Sequence, residues 1–321
     1  METKLGEVAG ISVVKKDERG YILETGTIIE DTFAEMFPMW AGRILITAAN
    51  EKWALIAAQT ATGFASSIIL SPAEAAVEGI LSPEETPDGR IGAIIQIYHT
   101  SRGGLKTQMS LRIGQSIMTC PTTAAFDALP KAKRRLKVGR SLRLFGDGFQ
   151  KSDEVEGRKV WRIPIMEGEF IVEDNFGVMK AVASGNIIIL ANDWKAGLKA
   201  SEDAKEAISK YVRGVIMPFP GGICGSGSKV GSLKYKLPAS TNHPYCPTVK
   251  KLVPETEVPD NVESVYEIVI NGLNQEVVRN AMAVGIKAAV KIPGVVKITA
   301  GNYGGKLGPF RAYLREILEL E

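Results

Sequence analysis

Two stretches of this chain open alike. Ile44-Leu45-Ile46-Thr47-Ala48-Ala49-Asn50-Glu51-Lys52-Trp53 and Ile187-Ile188-Ile189-Leu190-Ala191-Asn192-Asp193-Trp194 are both apolar runs that lead into a helical pattern. The elements after them repeat too. The first opening, a strand over 43–48, leads to a helical stretch over 51–62, a strand over 66–70, a strand over 91–98 and a helix over 105–118. Leu105, Met109, Ile113 and Ile117 recur every four residues, which marks one apolar helix face. The second opening, a strand over 187–191, leads to a helix over 199–212, a strand starting in 214–217, a strand over 265–270, a helix over 275–290 and a strand over 295–299. In that last helix Val278, Ala281, Met282, Gly285 and Ala289 mark the buried side, and Glu276, Asn280, Ala283 and Lys287 the solvent side. Gly114 and Gly285 sit inside the two late helices, where glycine costs about 1 kcal/mol, so a close approach of helix to sheet is expected there.

Strand–helix–strand, recurring in both halves, is the split βαβ or ferredoxin-like plan. The expected fold class is α+β: two related ferredoxin-like lobes with an intervening β-rich segment. The segment's strands are expected at 140–145, 159–165, 169–173 and 178–183. The expected domains are an N-terminal arm over 1–29, an N-terminal lobe over 30–167 and a C-terminal lobe over 168–321. A chain of 321 residues suits two domains.

Composition narrows the class. Hydrophobic residues make up 45% and charged residues 23%, ordinary for a soluble globular protein. A net charge of +3 is too small to require nucleic acid as a partner. Cys120, Cys224 and Cys246 are too few and scattered for a disulfide framework, which points to a reducing, cytoplasmic setting. No run approaches the roughly 20 apolar residues a membrane span needs. The apolar patch over 8–14 is broken by glycine and followed by Lys15-Lys16-Asp17-Glu18-Arg19, unlike a secretory signal.

The two halves differ in one place. The link between their two units covers 71–90 in the first and 218–264 in the second. Loops beyond about 15 residues are uncommon, and are usually functional or disordered. This one carries Phe219, Ile223, Cys224, Val230, Tyr235 and Tyr245, so it can pack. Its glycine-exposed N–H groups and small hydroxyls suit a polar small molecule. The candidate binding residues are Phe219, Gly221, Gly222, Ser226, Ser228, Lys229, Ser240, Thr241 and Asn242. Gly222-x-x-x-x-Gly227 has phosphate-loop spacing, but Ser228-Lys229 reverses the required order, and no Gly-x-Gly-x-x-Gly opens a helix. Nucleotide binding is rejected. Backbone donors for an oxyanion or carboxylate remain, beside a purely structural turn cluster.

Glu267 is the sharpest single residue. Alternation puts Val265, Glu267 and Val269 on one face of their strand, and Tyr266, Ile268 and Ile270 on the other. A carboxylate inside an apolar strand lies either on a solvated face or in a cavity. Burial would raise its pKa, and a carboxyl kept neutral near pH 7 can donate a proton or hydrogen bond. Metal and nucleophile patterns are poor. The histidines are His99 and His243, with no Cys-x-x-Cys and no His-x-x-x-His. Cys246 with His243 says little, since free cysteines are more often buried hydrophobes. The basic run Lys131-Ala132-Lys133-Arg134-Arg135-Leu136-Lys137 lacks interleaved aromatics, so single-strand stacking is not suggested. It reads as a solvated face, or as an attractor for a polyanionic tail.

From about Glu30 onward the chain resembles the formylmethanofuran:tetrahydromethanopterin N-formyltransferase family. The matching stretches include Pro83-Glu84-Glu85-Thr86-Pro87-Asp88-Gly89-Arg90, Gly168-Glu169-Phe170-Ile171-Val172-Glu173-Asp174, Phe219-Pro220-Gly221-Gly222 and Ala239-Ser240-Thr241-Asn242. Tyr266 to Asn274 and Gly301-Asn302-Tyr303-Gly304-Gly305-Lys306-Leu307-Gly308 match as well. The resemblance implies two ferredoxin-like lobes, a homotetramer, no metal, and transfer of a formyl group between the amine of methanofuran or methylofuran and N5 of tetrahydromethanopterin. It carries the family's essential glutamate onto Glu267. The +3 charge, the N-terminal arm and the basic run look like the version in methylotrophic bacteria, a subunit of a formyltransferase/hydrolase complex. There the carrier has an oligoglutamate tail, which makes Lys133, Arg134 and Arg135 candidates for tail binding. The competing expectation is a non-catalytic ligand-binding or scaffold subunit, because a fold alone does not imply activity.

Overall fold

The computed structural model describes residues 5–227, 231–239 and 241–321. The architecture is α+β, in two compact units: Met39–Ala181, and Met1–Pro38 together with Val182–Glu321. This grouping differs from the 30–167 and 168–321 division expected from sequence. The physical reason is strand pairing. Ile28–Ile29 adds in parallel to the edge of strand Val295–Thr299, and Phe33–Met36 pairs with Phe310–Tyr313. The expected arm is thus a set of strands that cover an exposed sheet edge, with Gly20–Leu23 pairing between Ile11–Asp17 and Ile28–Ile29.

In the unit Met39–Ala181 the order is strand, helix Glu51–Thr62, strand Glu74–Leu81, strand Gly92–His99, helix Arg102–Arg112 and strand Ala124–Asp127. The strand Phe33–Thr47 lies between Gly92–His99 and Ala124–Asp127, and Glu74–Leu81 flanks Gly92–His99. Ala54, Ala57, Ala58 and Ala61 of one helix and Leu105 and Met109 of the other are buried with Ile44, Ile46, Ile95 and Ile97. On the opposite face Leu45, Ile94, Phe126 and Val160 form a small apolar cluster. Lys151–Val155, Arg158–Ile165 and Gly168–Glu173 form an antiparallel meander.

Two expected strands here are not strands. Residues 66–70 lie in a turn closed by Ser71 N–H to Ser67 C=O at 2.7 Å, and Leu70 is exposed. The apolar run Ile68-Ile69-Leu70 precedes the true strand, which begins at Glu74. Residues 140–145 lie in a short helix, Val138–Leu142, and a 3-10 turn, Arg143–Gly146. Val138 and Leu142, four apart, are both buried, so the relevant period there is helical.

The other unit repeats the order: the strand Phe176–Ala191, helix Trp194–Tyr211, strand Val215–Ile216, the long loop, strand Ser264–Gly272, helix Gln275–Ala289 and strand Val295–Thr299. Ile188 of the central strand pairs with Glu267 on one side and Thr299 on the other. Alternation sends Ile187, Ile189, Ile268 and Ile270 toward the helices, where Ala200, Ala204, Ile208, Val278, Met282 and Ile286 are buried with them. Ala283, expected on the solvent side, is buried as well. A Cβ at Gly285 would lie 2.8 Å from Ile187 Cδ1 and 2.9 Å from Ile208 Cδ1, so glycine permits the close helix–sheet contact there. Ile188, Leu190 and Val265 face the other way, and the long loop returns over them with Tyr245, Val258 and Val262. No helix among the described residues is long and apolar enough to cross a membrane.

Candidate functional site

Glu267 lies on the loop-covered face of strand Ser264–Gly272 and is only 4% exposed. The loop is stitched to it directly. The Glu267 N–H donates to Cys224 C=O at 3.0 Å, and the Cys224 N–H donates to Glu267 C=O at 2.7 Å. Its Oε1 accepts from Asn186 Nδ2 at 3.3 Å, while Asn186 Oδ1 accepts the Gly301 N–H at 2.6 Å. Asn186 is itself 1% exposed, so one buried amide links the carboxylate to the start of the loop after strand Val295–Thr299.

The internal repeat makes this position informative. Ile188 pairs with Glu267 as Leu45 pairs with Ile94, and with Thr299 as Leu45 pairs with Phe126. Glu267 and Ile94 also stand the same distance ahead of their helix N-caps, Asn274 and Ser101. Where one unit buries Ile94 and Phe126 in hydrocarbon, the other carries Glu267 and Thr299. Burying an acid costs free energy unless it is hydrogen-bonded, so the polar pair is a departure from what the fold requires.

Glu267 lines a cavity of about 280 Å³ with Ile188, Trp194, Ser226, Thr241, Asn242 and Tyr245. A second cavity of about 540 Å³ is lined by Asn242, Tyr245, Glu257, Asn302, Tyr303 and Lys306. Asn242 and Tyr245 belong to both, so the two spaces adjoin. Burial pushes the Tyr245 hydroxyl well above the usual phenol range, and the Glu30 and Glu257 carboxylates push it the same way, with the Thr299 hydroxyl opposing. The Tyr245 hydroxyl therefore keeps its proton at physiological pH. Glu30 is paired with Lys297 at 2.9 Å.

The expected site residues divide. Ser226, Thr241 and Asn242 share the cavity with Glu267. Phe219, Gly221 and Gly222 lie elsewhere, in a 3-10 turn after Val215–Ile216. Gly221 and Gly222 adopt φ of 65° and 85° there. Ser228, Lys229 and Ser240 lie outside the described residues. Lys133 and Arg134 line a cavity of about 660 Å³ in the unit Met39–Ala181, with Trp40 and Lys180. The Arg134 guanidinium sits 5.8 Å from the Trp40 ring centre. Arg135 is engaged internally, donating to Asp127 at 2.9 Å and to the Asn175 carbonyl at 2.7 Å. Among the described residues no cluster of three His, Cys, Asp or Glu is placed to hold a metal ion. Asn186, Thr299 and Tyr245 were not among the residues expected from sequence.

The family model described as formylmethanofuran-tetrahydromethanopterin formyltransferase matches residues 23–165, and the model described as the proximal lobe matches 168–317. Among curated relatives, the enzyme of that name from Methanopyrus kandleri is 56% identical over 91% of this chain and 98% of its own length. The one from Methanocaldococcus jannaschii is 55% identical over 92% and 99%. The solved formyltransferase of Methanosarcina barkeri is 49% identical, covers 91% of this chain and 99% of its own, and has a TM-score of 0.88. A chain of the formyltransferase/hydrolase complex of Methylorubrum extorquens, solved with methylofuran, is 43% identical, with coverage of 92% and 98% and the same TM-score. This chain belongs to the formylmethanofuran–tetrahydromethanopterin formyltransferase family.

Proposed function

We propose that this chain is a formyltransferase, moving a formyl group between the amine of methanofuran or methylofuran and N5 of tetrahydromethanopterin, with Glu267 in the catalytic role. The observation that carries the site assignment is a buried carboxylate opening into a cavity at the position where the sister unit buries Ile94. The accepting amine attacks the formamide carbon, and a carbon–nitrogen bond forms as its carbonyl becomes a tetrahedral oxyanion. Collapse breaks the original carbon–nitrogen bond. The proton lost by the accepting nitrogen ends on the leaving one, and no electrons change hands. Two adjoining cavities that meet at Asn242 and Tyr245 suit two substrates reacting face to face. Such positioning alone can lower a barrier by several kcal/mol. A protonated Glu267 would serve the oxyanion or the leaving amine, and the Ser226, Thr241 and Asn242 side chains would hold polar substrate groups.

Glu267→Gln keeps the shape and one carbonyl-type acceptor toward Asn186 but cannot trade a proton. We expect it to fold and to lose turnover by about 10²–10³-fold, the usual effect of deleting one preorganised transition-state contact. Absorbance of formyl-tetrahydromethanopterin formation reads the outcome, and near-normal turnover would remove Glu267 from the mechanism.

The two units are read as related ferredoxin-like lobes, supported by the repeated βαββαβ order and by the matched registers of Ile188 and Leu45. We also place the chain in a homotetramer in the cytoplasm, or beside other subunits of a formyl-processing complex. Exposed Leu144, Phe145 and Phe149 are the kind of apolar surface an assembly covers. A monomer in sedimentation, alone and in native extract, would remove that reading. Lys133 and Arg134 are proposed to meet an anionic carrier tail.

A further inference from the structure

Glu35 is fully buried on the strand Phe33–Thr47, more than 200 positions before Glu267 in the chain. Backbone amides meet its charge. Its carboxylate accepts three N–H groups from one loop: Tyr303 at 2.5 Å and Gly305 at 2.6 Å on Oε1, and Leu307 at 2.7 Å on Oε2. Its own N–H donates to Gly301 C=O at 3.1 Å. The loop 301–308 thus wraps one side chain, presenting alternate amides to it, with Gly304 and Gly305 at φ of 67° and 77° to make the turn. Such rings of amides ordinarily enclose a bound anion; here the protein supplies its own. Burial pushes the Glu35 carboxyl up, but the N–H groups of Leu307, Gly305, Tyr303 and Gly308 together outweigh it and hold it below the usual carboxylate range.

The same loop presents Asn302, Tyr303 and Lys306 to the 540 Å³ cavity. Its first residue, Gly301, holds Asn186, which holds Glu267. Resting on the formyl-transfer reading, we propose that Glu35 is a positioning residue: it fixes the wall that receives one of the two substrates and, through Gly301 and Asn186, the orientation of the Glu267 carboxyl. The cavity suits a polar planar substrate part, since two aromatic residues, Tyr245 and Tyr303, and a basic one, Lys306, line it.

The test is Glu35→Gln, close in volume but turning an amide donor against at least one of the three N–H groups. KM for one substrate should rise about tenfold or more while KM for the other stays within about twofold, and kcat should fall. Loss of folded protein alone would scale kcat and leave both KM values alone. Amide exchange at Tyr303, Gly305 and Leu307 should be slow in the parent protein and at least tenfold faster in the variant. Unchanged KM values, or a parallel change in both, would overturn the proposal, as would rapid exchange at those amides in the parent. If Glu35→Gln does not fold, the double variant Asn302→Ala with Lys306→Ala decides. A KM rise for one substrate supports the wall assignment, and no rise for either overturns it. A parent protein without formyl transfer would sink the proposed function instead, and the exchange rates would then still judge the anchoring of the loop.

Discussion

Asn186 has two neighbours and a different bond to each: its amide nitrogen donates to Glu267 and its oxygen accepts from Gly301. Asn186→Asp keeps the second contact and replaces the first with a like-charged group. Two carboxyls at that separation cannot both ionise easily, so the pair holds a proton to higher pH. If Glu267 acts in its protonated form, the basic limb of the kcat–pH profile should move up in the variant. A profile that does not move, or moves down, would take the protonated carboxyl out of the mechanism. A lone acid in a clean apolar alternation singles out Glu267 in the sequence, but that pattern leaves a solvated face and a cavity both open, and only the structure shows the residue buried. Asn186 was not legible there, because Ser184-Gly185-Asn186 reads as a turn. In the structure the strand runs straight through them, absorbing the irregularity as a bulge with Ser184 at φ 74°. Glu35 gave no local signal, since its partners lie more than 260 positions away in the chain.

At the scale of elements, strong periodicity was the reliable guide. The helices Glu51–Thr62 and Gln275–Ala289 and the strand Val295–Thr299 stand where the pattern places them. Segments whose apolar residues lack a period misled, as at 66–70, where hydrogen bonds from Ser71 and Leu70 to Ser67 decide the geometry. The basic run 131–135 shows a different limit: charge is visible in sequence, but the partner of each charge is not. Lys133 and Arg134 line a cavity together with Trp40, whereas Arg135 closes onto Asp127 and Glu173. The three should therefore separate experimentally. Lys133→Gln with Arg134→Gln should flatten the salt dependence of binding to a polyglutamyl carrier, since screening acts on exposed charge, while leaving stability nearly unchanged. Arg135→Gln should leave carrier binding alone and lower stability by about 1 kcal/mol, its partly exposed ion pairs being weakened by solvent. Equal salt slopes in the parent and the double variant would remove the tail dock.

For the whole molecule the duplication serves as an internal control. The fold accepts hydrocarbon at the position of Ile94, packed with Leu45, Phe126 and Val160. If the two positions are equivalent, Glu267 should be dispensable for building its unit. Glu267→Leu would leave the Asn186 amide without that acceptor, at a cost of about 1–3 kcal/mol. Against this, burying the new side chain returns about 1.5–3 kcal/mol. The two nearly cancel, so the melting temperature should stay within about 3 °C of the parent, with formyl transfer abolished. The reciprocal change behaves oppositely. Ile94→Glu places an acid against Leu45, Phe126 and Val160, and should cost about 3 kcal/mol or more. Paired melting curves and turnover of the two variants read this directly. A large drop in stability for Glu267→Leu would mean that the carboxylate holds the unit together, and its burial would then say nothing about chemistry.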